Sequence, residues 1–137
     1  MKTSARNELT GKITSIIDGA VMSEVKIAVT AEVTVSATVT KEGLSSLGAK
    51  LNDEVTAIIK ASSIIITKDA VKTTARNVLK GKVIEVKKGV INSEVKLSLG
   101  TATISAIVTN DAIEDLSIKV SEDAYAIIKA SSVILMA

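Results

Sequence analysis

Apolar and small residues recur at every second position over much of the chain. The first run reads Leu9, Gly11, Ile13, Ser15 and Ile17, the second Val21, Ser23, Val25, Ile27 and Val29, and the third Val33, Val35, Ala37 and Val39. A period of two belongs to strands with one face on a core and one on water. Asp18-Gly19, between the first two runs, is a tight-turn signal that makes them a hairpin, and Lys88-Gly89 repeats it later in the chain. A short helix is expected to start at Thr40 as N-cap, with Leu44 and Leu47 three apart on its inner side. Its copy would start at Thr109, with Ile113 and Leu116. Two more strands, 54–60 with 63–67 and 124–129 with 132–136, close each set.

The strand pattern is written twice. Thr3-Ser4-Ala5-Arg6-Asn7-Glu8-Leu9-Thr10-Gly11-Lys12 returns as Thr73-Thr74-Ala75-Arg76-Asn77-Val78-Leu79-Lys80-Gly81-Lys82. Ser23-Glu24-Val25-Lys26 returns as Ser93-Glu94-Val95-Lys96, and Ala57-Ile58-Ile59-Lys60-Ala61-Ser62-Ser63 as Ala126-Ile127-Ile128-Lys129-Ala130-Ser131-Ser132. The offset of about 70 residues slips by one between Glu24 and Thr40, so a loop has changed length there. Five short strands and one helical turn in about 65 residues predict an all-β chain. Its two units, 1–68 and 72–137, would be tandem Greek-key five-stranded barrels of the oligonucleotide-binding (OB) type, each with one short helix. Residues 68–72 form the linker.

Composition narrows the chemistry. The 137 residues include one Tyr, no Phe, no Trp, no Cys and no His. Thiol nucleophiles, disulfides, Cys/His zinc sites and the usual neutral-pH proton shuttle are thereby excluded. Paired acids such as Asp53-Glu54 and Glu122-Asp123 flank strands in polar contexts and read as solvated turns, so no enzyme activity is expected. No apolar run approaches the roughly 18 to 20 residues of a membrane span, and the first seven residues lack a signal-peptide stretch. A cytoplasmic protein without membrane partners is expected. A barrel of this size with almost no aromatic side chains is marginal alone, which predicts a homo-oligomer.

A net charge of +2 is too small for a general polyanion binder, so an anion site must come from local placement. Only two of the 17 basic residues are Arg, and they are Arg6 and Arg76, equivalent in the two copies and each followed by Asn. Arg offers a planar fork of N–H donors suited to two oxygens of one anion. Ser4 and Thr74 stand two residues before them, on the same side if the segment is extended. Lys60-Ala61-Ser62 and Lys129-Ala130-Ser131 lie at the bend between the last two strands, where backbone N–H groups leave the ladder beside a Lys and a Ser. Carboxylates are missing from both clusters. The simpler reading stands beside this one: Arg paired with a surface acid, and Lys-Ala-Ser-Ser an ordinary polar turn.

At these residues the sequence resembles the molbindin, or Mop, family, whose units open with Ser-Ala-Arg-Asn and Leu-x-Gly and end in a Lys-Ala-Ser turn. Ser4-Ala5-Arg6-Asn7 matches fully, and Thr74 is the one change in the second copy. The segments at 19–25 and 89–95 add to the likeness. The resemblance implies OB-type barrels assembled as a homotrimer of tandem units, with the oxyanion molybdate or tungstate held at subunit interfaces for storage or homeostasis. It also implies no catalytic cofactor and no direct metal ligands. The main site would use Ser4, Arg6, Lys60, Ala61 and Ser62, and its equivalent Thr74, Arg76, Lys129, Ala130 and Ser131. Thr40 and Thr109 fit a further ligand position, although Gly43 and Ala112 stand where the family often has a second hydroxyl. A second class of site near a threefold axis would use Ser23 and the Asn92-Ser93 pair, where Met22 breaks the match to Asn92. Family relatives occur fused to a DNA-binding helix-turn-helix or a transport ATPase, and neither signature is found in these 137 residues.

Two rival readings remain. One is a single-stranded nucleic-acid module, which one Tyr disfavours because such barrels stack bases on aromatic side chains. The other is a purely structural assembly protein. Oxyanion binding predicts that Arg76→Ala weakens binding far more than Lys87→Ala, taken as a remote lysine.

Overall fold

The computed structural model describes residues 3–137. Its strands in chain order are β1 (Asn7–Asp18), β2 (Met22–Ala28), β3 (Thr34–Thr40), β4 (Glu54–Ile59), β5 (Ile65–Thr67), β6 (Asn77–Lys88), β7 (Asn92–Ser98), β8 (Thr103–Thr109), β9 (Asp123–Ile128) and β10 (Val133–Met136). Helix α1 (Lys41–Leu47) follows β3 and α2 (Asn110–Leu116) follows β8. A 3-10 turn, Ala61–Ser63 or Ala130–Ser132, precedes the last strand of each half. The all-β expectation holds, with two antiparallel five-stranded sheets of OB type.

Each hairpin forms where Asp18-Gly19 and Lys88-Gly89 predict it, closed by the amide of Gly19 on the Met22 carbonyl and of Gly89 on that of Asn92. The period-two run does not continue unbroken through β1. A bulge between Ile13 and Ser15 shifts the register against β2, and the same occurs between Val83 and Glu85 in β6. The extra residue moves the inward parity by one. Ile16 and Val86 therefore turn to the core, and Ile17, expected inside, is 59% exposed. The bulge lets one 12-residue strand serve two partners, with Asn7 to Lys12 on β4 and Lys12 to Asp18 on β2. Gly11 makes this bend feasible, because a Cβ there would lie 2.1 Å from the carbonyl oxygen of Ala28.

Both helices start as expected. The Oγ1 of Thr40 accepts from the Gly43 amide at 2.9 Å, and that of Thr109 from the Ala112 amide at 3.1 Å. Leu44 and Ile113 are buried, but Leu116 is exposed. Its expected inner place goes to Ile118, buried just beyond the helix end, whose amide bonds back to the Ile113 carbonyl.

The largest departure concerns closure. The sequence pattern has each unit closed by its own last strand, yet the sheets run β10-β4-β1-β2-β3 and β5-β9-β6-β7-β8. The final strands are exchanged: Ile134 pairs with Ile58 and Ile65 with Ile127. β10 then packs near β3 and β5 near β8, curling each sheet toward a barrel. The sequence units 1–68 and 72–137 are repeats of pattern, while each sheet is four strands of one half and one of the other. One apolar core runs through both, with Ile13, Ile27, Ile59, Leu97, Ile104 and Ile128 fully buried.

Candidate functional site

Asn7 and Asn77, the residues after the two arginines, are 2% exposed and tie one half to the other. The Nδ2 of Asn7 donates to the carbonyls of Ile59 and Ser105, and its Oδ1 accepts from the Ser105 amide at 2.7 Å. Asn77 treats Ser36 the same way, donating to its carbonyl and accepting from its amide. A side-chain amide thus pairs with a strand of the opposite half as a backbone would, and every polar atom is satisfied. This clamp fixes where the preceding Arg emerges. The sequence reading passed over both Asn residues as carriers of structure; their identical place after each Arg was the available signal.

The segment before each clamp is not extended. It bends at 4–6 and again at 74 and 76. The bends are held by Thr3 Oγ1 accepting from the Ala5 amide and Thr73 Oγ1 from the Ala75 amide. Convergence of hydroxyl and guanidinium survives by a different route, since Ser4 and Arg6 line one cavity of about 570 Å³ together with Lys60, Ala61 and Ser62. Thr74, Arg76, Lys129, Ala130 and Ser131 line its counterpart of about 360 Å³. Each of the two main five-residue sets is thus gathered in one place.

The Lys-Ala-Ser bend is a 3-10 turn in both copies. Lys60 and Lys129 precede it in extended conformation with no side-chain cap, and Ala61 and Ala130 are buried. The first amides of such a turn have no partner within it. They stand beside an exposed Lys in each cavity.

Both cavities span the halves. Ile107 on β8 and Ile134 and Met136 on β10 close the Arg6 cavity. Thr38 on β3 and Ile65 on β5 close the Arg76 cavity. Strand exchange therefore brings these walls to the donors, and none of these wall residues was foreseen.

Carboxylates, expected to be absent, are present at both arginines. Arg6 pairs with Glu94 at 3.1 Å and Arg76 with Glu24 at 2.7 Å, each across the halves. The two Arg side chains are 61% and 57% exposed. Pairs this open are worth roughly 0.2–1 kcal/mol, so they orient the fork more than they stabilise the fold. Arg has five N–H donors, and an ion pair engages only part of them. Lys87 stands across the strand pair from Glu94 and is not a remote lysine.

The remaining candidates lie elsewhere. Thr40 and Thr109 cap helices, outside both cavities. Ser23 and Ser93 are buried, their hydroxyls donating to Oδ1 of Asp18 and of Asn110. Asn92 is exposed at the start of β7. These five cluster near the hairpin tips, where Val21, Val90 and Ile91 are 69%, 97% and 72% exposed. Among the described residues no group of three His, Cys, Asp or Glu side chains is placed to hold a metal cation. No described helix is long and apolar enough to cross a membrane.

Comparison with known proteins fits this architecture. The chain is 39% identical to "Molybdenum transport protein ModE" of Azotobacter vinelandii over 98% of its length. It is 35% identical to "Molybdenum-pterin-binding protein MopA" of Rhodobacter capsulatus, again over 98%. It spans about half the length of these curated relatives, 51% and 52%. The crystal structure of the cytoplasmic molybdate-binding protein ModG with molybdate bound superposes with a TM-score of 0.95. The match has 37% identity and covers 99% of both chains. The TOBE domain model matches residues 3–66 and again 73–135, nearly the whole chain, and the chain thus belongs to the TOBE domain family, with two copies in tandem.

Proposed function

We propose that this chain reversibly binds molybdate or tungstate and serves in intracellular storage or homeostasis of that anion. The observation that carries the reading is the pair of cavities, each assembling one Arg, one Lys-bearing turn and hydroxyl side chains between walls drawn from both halves. A tetrahedral dianion needs many donors in a confined place. Arg, Lys, Ser or Thr hydroxyls and unpaired amides supply them as charge-assisted hydrogen bonds, with all four oxygens left on the metal. The near-complete superposition on molybdate-bound ModG supports the same reading. Binding without covalent chemistry needs no catalytic cofactor, and we assign none. Sulfate is discriminated by size.

Glu24 and Glu94 act within this scheme as guides. Each holds one edge of a guanidinium and leaves further N–H groups for the anion. Titration calorimetry with molybdate, tungstate and sulfate tests the function. Saturable binding of the first two, with little heat from sulfate, is expected, and no binding of either metal oxyanion overturns it.

The working form is a cytoplasmic homotrimer whose subunit interfaces complete the sites. Uncovered Val21, Val90 and Ile91 at the hairpin tips support association, since burying them removes apolar surface from water. Thr40, Thr109, Ser23, Asn92 and Ser93 lie beside those tips, and we assign them to further sites between subunits. Light scattering should give three times the chain mass of 14.2 kDa. A monomeric mass at micromolar concentration sinks the assembly.

A further inference from the structure

Ser63 lines only the Arg76 cavity and Met136 only the Arg6 cavity, and at one pair of equivalent wall positions the side chain changes from polar to apolar. Glu24 pairs across β2 and β3 with Thr38, and Glu94 pairs across β7 and β8 with Ile107. Cross-strand partners share a face, so each Glu that holds an Arg has beside it the residue that closes the same cavity. That residue carries a hydroxyl at the Arg76 cavity and a hydrocarbon at the Arg6 cavity. Both side chains are β-branched and half-buried. The backbone register is the same, so the contrast lies in chemistry rather than placement.

A second contrast points the same way. At the rim of the Arg6 cavity, Thr3 donates its hydroxyl to the carboxylate of Glu8 at 3.0 Å. Val78 occupies the equivalent position in the second copy, so the Thr73 hydroxyl has no such acceptor beside it and the rim there lacks that negative charge. The Arg76 cavity is also the smaller, about 360 against 570 Å³.

We infer that Thr38 is an affinity-determining residue that makes the Arg76 cavity the tight, first-filled oxyanion site, while Ile107 leaves the Arg6 cavity the weaker one. The inference rests on the oxyanion reading above. Thr38 gives a hydroxyl to one oxygen of the dianion, a charge-assisted bond that Ile107 lacks, and a dianion at the Arg6 cavity also meets the field of Glu8. Two classes of site follow, about tenfold or more apart in affinity.

Titration calorimetry with sodium molybdate on the full chain tests this with three variants. Thr38→Val should weaken the tight class about tenfold and leave the weak class in place, whereas Thr38→Ser should retain tight binding. Ile107→Thr should bring the weak class toward the tight one. Equal affinities at all sites of the unmodified protein overturn the inference while leaving molybdate binding intact. An unchanged tight class in Thr38→Val does the same. No molybdate binding by the unmodified protein overturns the underlying function as well, so the two failures are told apart.

Discussion

The Arg76 and Arg6 cavities share a backbone and a donor motif, and they differ in what the opposite half contributes. Thr38 faces one and Ile107 the other. The comparison teaches that duplication copied the Ser/Thr-Ala-Arg-Asn and Lys-Ala-Ser elements closely because each copy needs the same clamp and turn. The walls were free to diverge, since either Thr or Ile suits a half-buried strand position.

The clamps give the largest way to break this picture. Asn7→Ala leaves the Ser105 amide and the Ser105 and Ile59 carbonyls buried without partners, and should cost about 3 kcal/mol. Asn77→Ala removes the two bonds to Ser36 and should cost somewhat less, about 2 kcal/mol. Urea unfolding measures both. Effects near zero would mean that the halves are not held through these residues.

Binding comes next. Arg76→Ala should weaken the tight class of sites about 100-fold and leave the weak class, and Arg6→Ala should do the reverse. Lys119→Ala, at an exposed position outside both cavities, is the control in place of Lys87. Equal losses from Arg76→Ala and Lys119→Ala would remove the guanidinium from the site.

A smaller contrast sharpens the comparison of the halves at their first strands. Gly11→Ala sets a Cβ against the Ala28 carbonyl at 2.1 Å, and Gly81→Ala one against the Ser98 carbonyl at 2.8 Å. The first should cost about 2–3 kcal/mol and the second about 1 kcal/mol, read from the same unfolding curves. The reverse order would contradict the closer approach in the first half.

The smallest expected effect lies at the helix ends. α1 closes on Gly48 at φ 72°, while α2 closes on Ser117 at φ 50°, a left-handed position that costs an L-residue. Ser117→Gly should stabilise the second half by about 0.5 kcal/mol, a small rise in melting temperature. A fall would show that the serine makes a compensating contact.

Much of this was legible in residue order. Period-two runs placed the strands, Asp18-Gly19 and Lys88-Gly89 placed the hairpins, and Thr40 and Thr109 placed the helix starts. Arg6 and Arg76, singled out by their rarity and equivalence, do share cavities with the Lys-Ala-Ser turns. The bulges at Ile13 and Val83 were hidden because one added residue leaves local composition unchanged and alters only the parity beyond it. The carboxylates on the arginines were hidden because Glu24 and Glu94 lie in the opposite half of the sequence.

The sequence by itself determined the repeat, the strand positions and the donor types at each bend, since these depend on local pattern and side-chain chemistry. Tertiary structure alone decided which last strand closes which sheet. β4 and β9 are near copies, as are β5 and β10, so their pairing patterns are almost interchangeable and residue order cannot rank self-closure against exchange. Where the chain runs after Thr67 settles that choice in space. With it comes the placing of Thr38, Ile107, Glu24 and Glu94 against donors from the other copy.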